Sequence, residues 1–254
     1  MITLDEPQQQ VAADTIPSVR LPRWKRVLDV TLCAVALPIL GPLTLLMAVV
    51  TRLYAPGPVF FKQERVGHQG RRFLCLKFRT MHAGSDVKVH QAHLEQLIRS
   101  GVPMTKIDAK GDRRLIPGGW ILRATGLDEL PQILNVLFGD MSLVGPRPCI
   151  PYEFDQFQPW QKQRCSTLPG LTGLWQVSGK NRTTFEEMMH LDIQYARNLS
   201  FWEDVRIILM TIPALVIQVR DTRAKPAAKA PALYVATSQP TRSTVQWKAK
   251  AEAA

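Results

Sequence analysis

The chain has 254 residues, 46% of them hydrophobic and 21% charged, which excludes a disordered chain and leaves room for a full buried core. Lys and Arg number 32 against 21 acidic residues, a formal charge of +11; an excess of that size favours an anionic partner (nucleic acid, anionic lipid or a phosphorylated substrate) without choosing among them. Four cysteines, Cys33, Cys75, Cys149 and Cys165, contain no C-x-x-C pair, which argues against a disulfide framework or a zinc site and for reduced thiols.

Residues 1–22 are polar without periodicity and read as a flexible tail, unlike a secretory signal. From Val30 to Thr51 no side chain is charged, enough to span a bilayer as a helix of roughly 20 residues. Pro38 and Gly41-Pro42 fall at the middle of that run and predict a kink, because proline removes a backbone donor and clashes with the preceding turn. Arg23, Lys25 and Arg26 precede the run and Arg52 follows it, so basic residues at both ends place both on the cytoplasmic side. The expectation over 23–54 is a re-entrant helix–break–helix that dips into one leaflet and returns. A single-pass anchor is the alternative.

Beyond Pro56-Gly57-Pro58, the segments Val59–Lys62 and Arg72–Phe78 flank a turn at Gly67-His68-Gln69-Gly70 and predict a β-hairpin. The Arg71-Arg72 pair beside that turn reads as solvated or lipid-facing charge. Residues 86–100 carry Val89, Leu94, Leu97 and Ile98 at helical spacing; His90 and His93 lie three apart there, with no third metal ligand in view. Residues 127–138 predict a helix with Leu130, Ile133, Leu134, Leu137 and Phe138 on one side. Asp128 and Glu129 fall in its first turn, where a helix dipole favours negative charge. Thr184–Asn198 predicts another helix. Phe201–Val219 predicts a strongly apolar one that fits either the membrane interface or the domain core. Trp160, Trp175 and Trp202 read as packing or interface anchors. Residues 224–254, rich in Ala, Lys, Pro, Thr and Ser, read as a second flexible tail, whose Lys225, Lys229, Lys248 and Lys250 either bind anionic lipid or serve nothing specific.

The chemistry concentrates at Asp128-Glu129. A carboxylate nucleophile splits one difficult displacement into two easier ones. A phosphorus electrophile repels it, so the site must supply positive charge from a divalent metal and from Arg or Lys. Mg2+ takes oxygen ligands, typically one or two carboxylates plus substrate phosphates. Lys77, Arg79, Arg123 and Arg147 are candidate phosphate clamps. An Asp-Glu dipeptide in isolation serves equally well as an acidic helix start.

The text around the pair resembles a known family. In order, the blocks are Lys25-Arg26-Val27-Leu28-Asp29, Pro56-Gly57-Pro58-Val59-Phe60-Phe61-Lys62-Gln63-Glu64-Arg65-Val66-Gly67 and Lys77-Phe78-Arg79-Thr80-Met81. Leu127-Asp128-Glu129-Leu130-Pro131-Gln132, Gly139 through Pro148, and Pro169 through Gly179 follow. Over about residues 23–220 the chain is similar to the bacterial sugar transferases, the small monotopic phosphoglycosyl transferases that begin exopolysaccharide and O-antigen assembly. The resemblance implies a monotopic membrane protein, mainly α with a small β-hairpin, carrying a re-entrant helix hairpin and interfacial amphipathic helices. It implies transfer of a sugar-1-phosphate from a UDP-sugar to undecaprenyl phosphate, releasing UMP, with Asp128 as nucleophile and Glu129 as the Mg2+-binding partner. Arg123 and Arg147 would contact phosphate or nucleotide, with Lys77 a weaker carry-over and Gln176 and Arg182 guesses. The family's helix break is often Ser-Pro; here it is Gly41-Pro42 with an added Pro38. The multi-span N-terminal region of larger members is not seen, so the chain looks like the minimal catalytic form.

The resulting organisation is a tail (1–22), a re-entrant hairpin (23–54), a catalytic domain (55–223) and a second tail (224–254). The expected site is at the cytoplasmic face of the inner membrane, in contact with its lipid, with no nucleic acid partner; a homodimer is admitted. The alternative is a non-catalytic, membrane-anchored basic protein binding anionic lipid or nucleic acid. A metal-dependent hydrolase of polyprenyl diphosphates is a minor third reading. Which sugar is carried is not written in any residue.

Overall fold

A computed structural model describes residues 16–17, 19–54, 57–81, 101–104, 115–116 and 118–223. The chain divides into a body, residues 1–219, and a second unit, residues 220–254, of which 220–223 are described. The predicted helix over 86–100, with His90 and His93, and most of both predicted tails lie outside the described residues. Ile16 and Pro17 are not free: Gln69 Nε2 donates to the Pro17 carbonyl at 3.0 Å.

Helix α1, Arg23–Tyr54, is continuous through Pro38 and Pro42. The expected interruption at Gly41-Pro42 is therefore absent from the secondary structure. Each proline removes one helical hydrogen bond, but the flanking turns keep theirs, and Thr44 Oγ1 donates to Leu40 O at 2.6 Å. Lys25, Asp29 and Cys33 recur at a spacing of four and share one face, and all three are buried. Leu40 continues the stripe onto a cluster of Cys33, Cys75, Ile133, Val136 and Met141. Much of the rest of α1 is apolar and open, with Val35 70%, Ile39 74% and Leu53 75% exposed. So much exposed apolar surface on one helix calls for a lipid environment.

Strands β1 (Phe60–Val66) and β2 (Arg72–Phe78) pair antiparallel, with Phe61 opposite Lys77 and Val66 opposite Arg72. This is the predicted hairpin, its first strand running further than Lys62. Helix α2 (Gly119–Thr125) leads to a 3-10 turn, Leu127–Glu129, and then to α3 (Gln132–Phe138). Asp128 and Glu129 thus lie in a separate turn and not in the first turn of a helix over 127–138. Pro131 has no N–H to donate, and the α-helical ladder begins only after it. The acidic pair therefore does not sit on the first turn of that α-helix.

Strand β3 (Ser142–Val144) pairs parallel with β4 (Gly170–Thr172), a contact the sequence reading did not foresee. It explains the glycines of two motifs. A Cβ on Gly145 would lie 2.2 Å from the Leu168 carbonyl oxygen, and one on Gly170 would lie 2.0 Å from the Gly145 nitrogen. Backbone packs on backbone there, and no side chain fits. Short helices α4 (Pro151–Asp155) and α5 (Pro159–Lys162) follow β3, and α6 (Leu174–Val177) follows β4. Helix α7 (Phe185–Arg197) opens on a capping box, Glu187 N–H to Thr184 Oγ1 at 3.2 Å and Thr184 N–H to Glu187 Oε2 at 2.8 Å. Helix α8 runs Phe201–Arg223. Trp175 is core, 2% exposed, and Trp160 stacks on His190; Trp202 is 76% exposed and packs edge-on against Phe201. All four cysteines are buried free thiols.

The start of α1 is fastened to the body by charge. Lys25 Nζ donates to Asp204 Oδ2 at 2.7 Å, to Tyr195 Oη at 2.8 Å and to the Val144 carbonyl at 2.8 Å. Tyr195 Oη also donates to Asp204 Oδ1 at 2.6 Å. One turn on, Asp29 Oδ1 accepts from Ser142 Oγ and from the Leu143 N–H. Lys25, read from the sequence as a membrane-flanking cation, is instead fully enclosed.

Candidate active site

The 3-10 turn that carries Asp128 and Glu129 begins after Gly126, whose φ of +75° suits glycine and reverses the chain out of α2. Asp128 is buried, 8% exposed, while Glu129 is half-buried. Lys77, near the end of β2, reaches across to Glu129 with Nζ–Oε1 at 2.8 Å. Burial would raise the Glu129 carboxyl, but Lys77, Lys180 and Arg147 around it outweigh that and hold it well below the usual carboxylate range. Three cations acting on one acid give a locally positive environment suited to an anion with several charges.

The Gly145-Pro146-Arg147-Pro148 turn is pinned by two buried arginines. Arg164 Nη2 donates to the Arg147 carbonyl at 2.9 Å, and Arg65 Nη1 donates to the Pro148 carbonyl at 3.0 Å. Arg164 is itself paired with buried Asp192 of α7. The side chain of Arg147 is thereby aimed by a backbone held on both sides. Arg123 Nη1 lies 3.4 Å from Thr80 Oγ1, which ties α2 to the end of the hairpin.

Of the predicted site residues, the structure gathers Glu129, Lys77 and Arg147 beside the Asp128 turn, with Arg123 on the preceding helix. Arg79 is buried, and its guanidinium packs over Gly57 at the foot of α1. Gln176 donates from Nε2 to the Leu171 carbonyl at 3.0 Å and braces the turn after β4. Arg182 is exposed on the loop after α6. Lys180 was missed by the sequence reading. Its signal was faint: a lysine directly after the matched Gly179, two residues before Arg182. Its φ of +32° marks a loop held in an uncommon conformation. Arg65, Arg164 and Asp192 were also missed, although Asp192 betrays itself as an acid on the buried side of an amphipathic helix.

Removing Lys77 removes the largest favourable influence on the Glu129 carboxylate, so its titration moves to higher pH. A Lys77→Met variant should lose roughly 100-fold in kcat/KM, and the acid limb of its pH–rate profile should shift to higher pH. The sign follows from the folded state: a depressed acid stays charged as pH falls, and without Lys77 it protonates earlier. An acid limb unchanged from wild type would refute this role for Lys77.

The description "Bacterial sugar transferase" matches residues 21–218. The chain belongs to the bacterial sugar transferase family. It is 41% identical over 210 residues to the UDP-glucose:undecaprenyl-phosphate glucose-1-phosphate transferase of Caulobacter vibrioides, covering 79% of this chain and 73% of that protein. It is 38% identical over 199 residues to the exopolysaccharide production protein ExoY of Rhizobium meliloti, covering 76% of this chain and 85% of ExoY. It is 40% identical over 194 residues to galactosyl transferase CpsE of Streptococcus agalactiae, covering 76% of this chain but 42% of CpsE. The chain is thus an enzyme of a transferase family, and the reading as a non-catalytic basic binding protein is not favoured.

Proposed function

We propose that this sugar transferase moves a hexose-1-phosphate from a UDP-sugar to undecaprenyl phosphate at a membrane surface, releasing UMP, as an early step of exopolysaccharide or related glycan synthesis. The observation that carries the reading is the single turn holding Asp128 and Glu129, with Lys77 paired to Glu129 at 2.8 Å and the charges of Lys180 and Arg147 acting on the same carboxylate. That concentration of positive charge suits a diphosphate. In the proposed sequence Asp128 attacks the β-phosphorus of the UDP-sugar, forming an aspartyl phosphosugar as the bond to the UMP oxygen breaks. The oxygen of undecaprenyl phosphate then attacks the same phosphorus and returns Asp128 as a free carboxylate. Lys77, Arg147 and Arg123 neutralise the phosphate oxygens, which otherwise repel the nucleophile.

The adjacent carboxylates fit Mg2+ when substrate phosphate oxygens complete the shell, and Glu129 would hold it. Bound there, the metal would supply further positive charge to the diphosphate. Among the described residues no group of three or more His, Cys, Asp or Glu could hold a metal by itself, so the site relies on the substrate for the remaining ligands.

The relatives named above differ in their sugar, glucose in one and galactose in another. A panel of UDP-sugars with undecaprenyl phosphate and Mg2+, read as UMP release, tests the function. Turnover with at least one UDP-hexose supports it, and no UMP from any would sink it.

The membrane reading is that α1 enters the cytoplasmic leaflet of the inner membrane and both its ends stay on the cytoplasmic side. Support comes from the attachments at each end. Lys25 and Asp29 are locked into the body, while Thr51 is buried and Arg52 Nη1 donates to the Gly57 carbonyl at 3.2 Å, just before the hairpin of the same body. The burial of Thr51 near the end of α1, like that of Lys25 and Asp29 near its start, favours both ends lying on one side. Pro38 and Pro42, one turn apart, remove two successive helical bonds where the segment would bend into the lipid. Single cysteines at Arg20 and at exposed Pro58 should both resist a membrane-impermeant maleimide in intact cells. Labelling of either from outside would favour a single-pass anchor.

A further inference from the structure

We propose that Gln218 is a positioning residue, through which helix α8 holds Lys180 in place and braces the turn that carries Asp128. The proposal rests on the transferase reading above and deepens it. Gln218 uses both ends of its amide. Its Oε1 accepts from Lys180 Nζ at 2.8 Å, and its Nε2 donates to the Ala124 carbonyl at 2.9 Å. Ala124 is buried near the end of α2, the helix that runs through Gly126 into the Asp128 turn. Leu215, three residues earlier on the same face of α8, adds a second contact: its Cδ2 would lie 3.7 Å from a Cβ built on Gly126. One stretch of α8 therefore lies against the residues that lead into the Asp128 turn and also holds Lys180.

The chemistry of the amide explains why glutamine stands there. The position needs an acceptor for an ammonium and a donor for a carbonyl on a single side chain. Leucine supplies neither. A carboxylate supplies the acceptor, but it drives charge against the Ala124 carbonyl and draws Lys180 toward α8. A protonated carboxylic acid supplies both again. Lys180 also needs the help, because its backbone sits at φ +32° after Gly179 at φ +113°, a conformation that persists only where neighbours enforce it. The dependence on α8 is long-range in sequence, 94 residues separating Gln218 from Ala124.

The test uses the full chain in detergent micelles with undecaprenyl phosphate, Mg2+ and UDP-glucose or UDP-galactose, comparing wild type, Gln218→Leu and Gln218→Glu. Gln218→Leu should melt as wild type yet lose about 10- to 100-fold in kcat/KM, the scale of a misplaced site group. A pulse of an amine-acylating reagent, read by peptide mass spectrometry, should modify Lys180 several-fold faster in Gln218→Leu, with Lys77 unchanged. The deficit of Gln218→Glu should shrink as pH falls and its carboxyl protonates, while that of Gln218→Leu stays flat. Wild-type kcat/KM and wild-type Lys180 labelling in Gln218→Leu would overturn the proposal, as would equal losses in both variants at every pH. Should wild type itself release no UMP, the transferase reading fails, and the labelling still decides whether Gln218 holds Lys180.

Discussion

Asp128→Asn should release no measurable UMP from any UDP-sugar, a loss on the order of 10^4-fold or more in kcat, with an unchanged fold. The substitution keeps the size of the side chain in a buried turn and removes the charge that makes it a nucleophile. Its partner sets the contrast. Glu129→Gln keeps a nucleophile but loses the carboxylate that Lys77 grips at 2.8 Å and that would hold Mg2+. That variant should retain slow turnover, with a weakened dependence on Mg2+. Turnover by Asp128→Asn near the wild-type rate would remove the covalent route. Equal residual rates in both variants would remove the division of labour between the two acids.

Lys25→Met should be the most damaging stability change, costing about 3–5 kcal/mol. The ammonium it removes is buried and serves three acceptors, and Asp204 is left as an enclosed carboxylate with Tyr195 as its donor. Helix α1 is fastened to the body at this point, so the loss should appear both as a lower melting temperature and as faster proteolysis near residue 23. A double variant, Lys25→Met with Asp204→Leu, replaces the ion pair by apolar groups and should recover most of the loss, since a buried pair often exchanges for hydrocarbon at little net cost. A single variant that melts within about 1 kcal/mol of wild type would show the network to be dispensable.

Much of this was written plainly in the chain. The hairpin announced itself by aromatic and branched strands around a glycine turn, and α7 by its capping box, because both depend on residues near one another in sequence. Asp128, Glu129, Lys77 and Arg147 were singled out through motif text, and the structure pairs Lys77 with Glu129. What stayed hidden depended on contacts between distant segments. The β3–β4 pair is three residues per strand, too short for any periodicity to show, and its glycines gave the only hint. Lys25 looked like a membrane-flanking charge because its partners, Tyr195 and Asp204, come 170 and 179 residues later. Lys180 and Gln218 had no local pattern to mark them. The acidic pair was placed on a helix start because the apolar spacing beyond it is helical, and Pro131 delayed the helix.

The account turns on a covalent bond between Asp128 and the phosphosugar. Incubating the enzyme with a UDP-sugar radiolabelled at the β-phosphorus, in the absence of undecaprenyl phosphate, and mapping the label by peptide mass spectrometry reads that bond directly. The account predicts label on the peptide containing Asp128, absent from Asp128→Asn and discharged when undecaprenyl phosphate is added. Wild-type enzyme that turns over fully yet carries no label, or label that persists in Asp128→Asn, would contradict it.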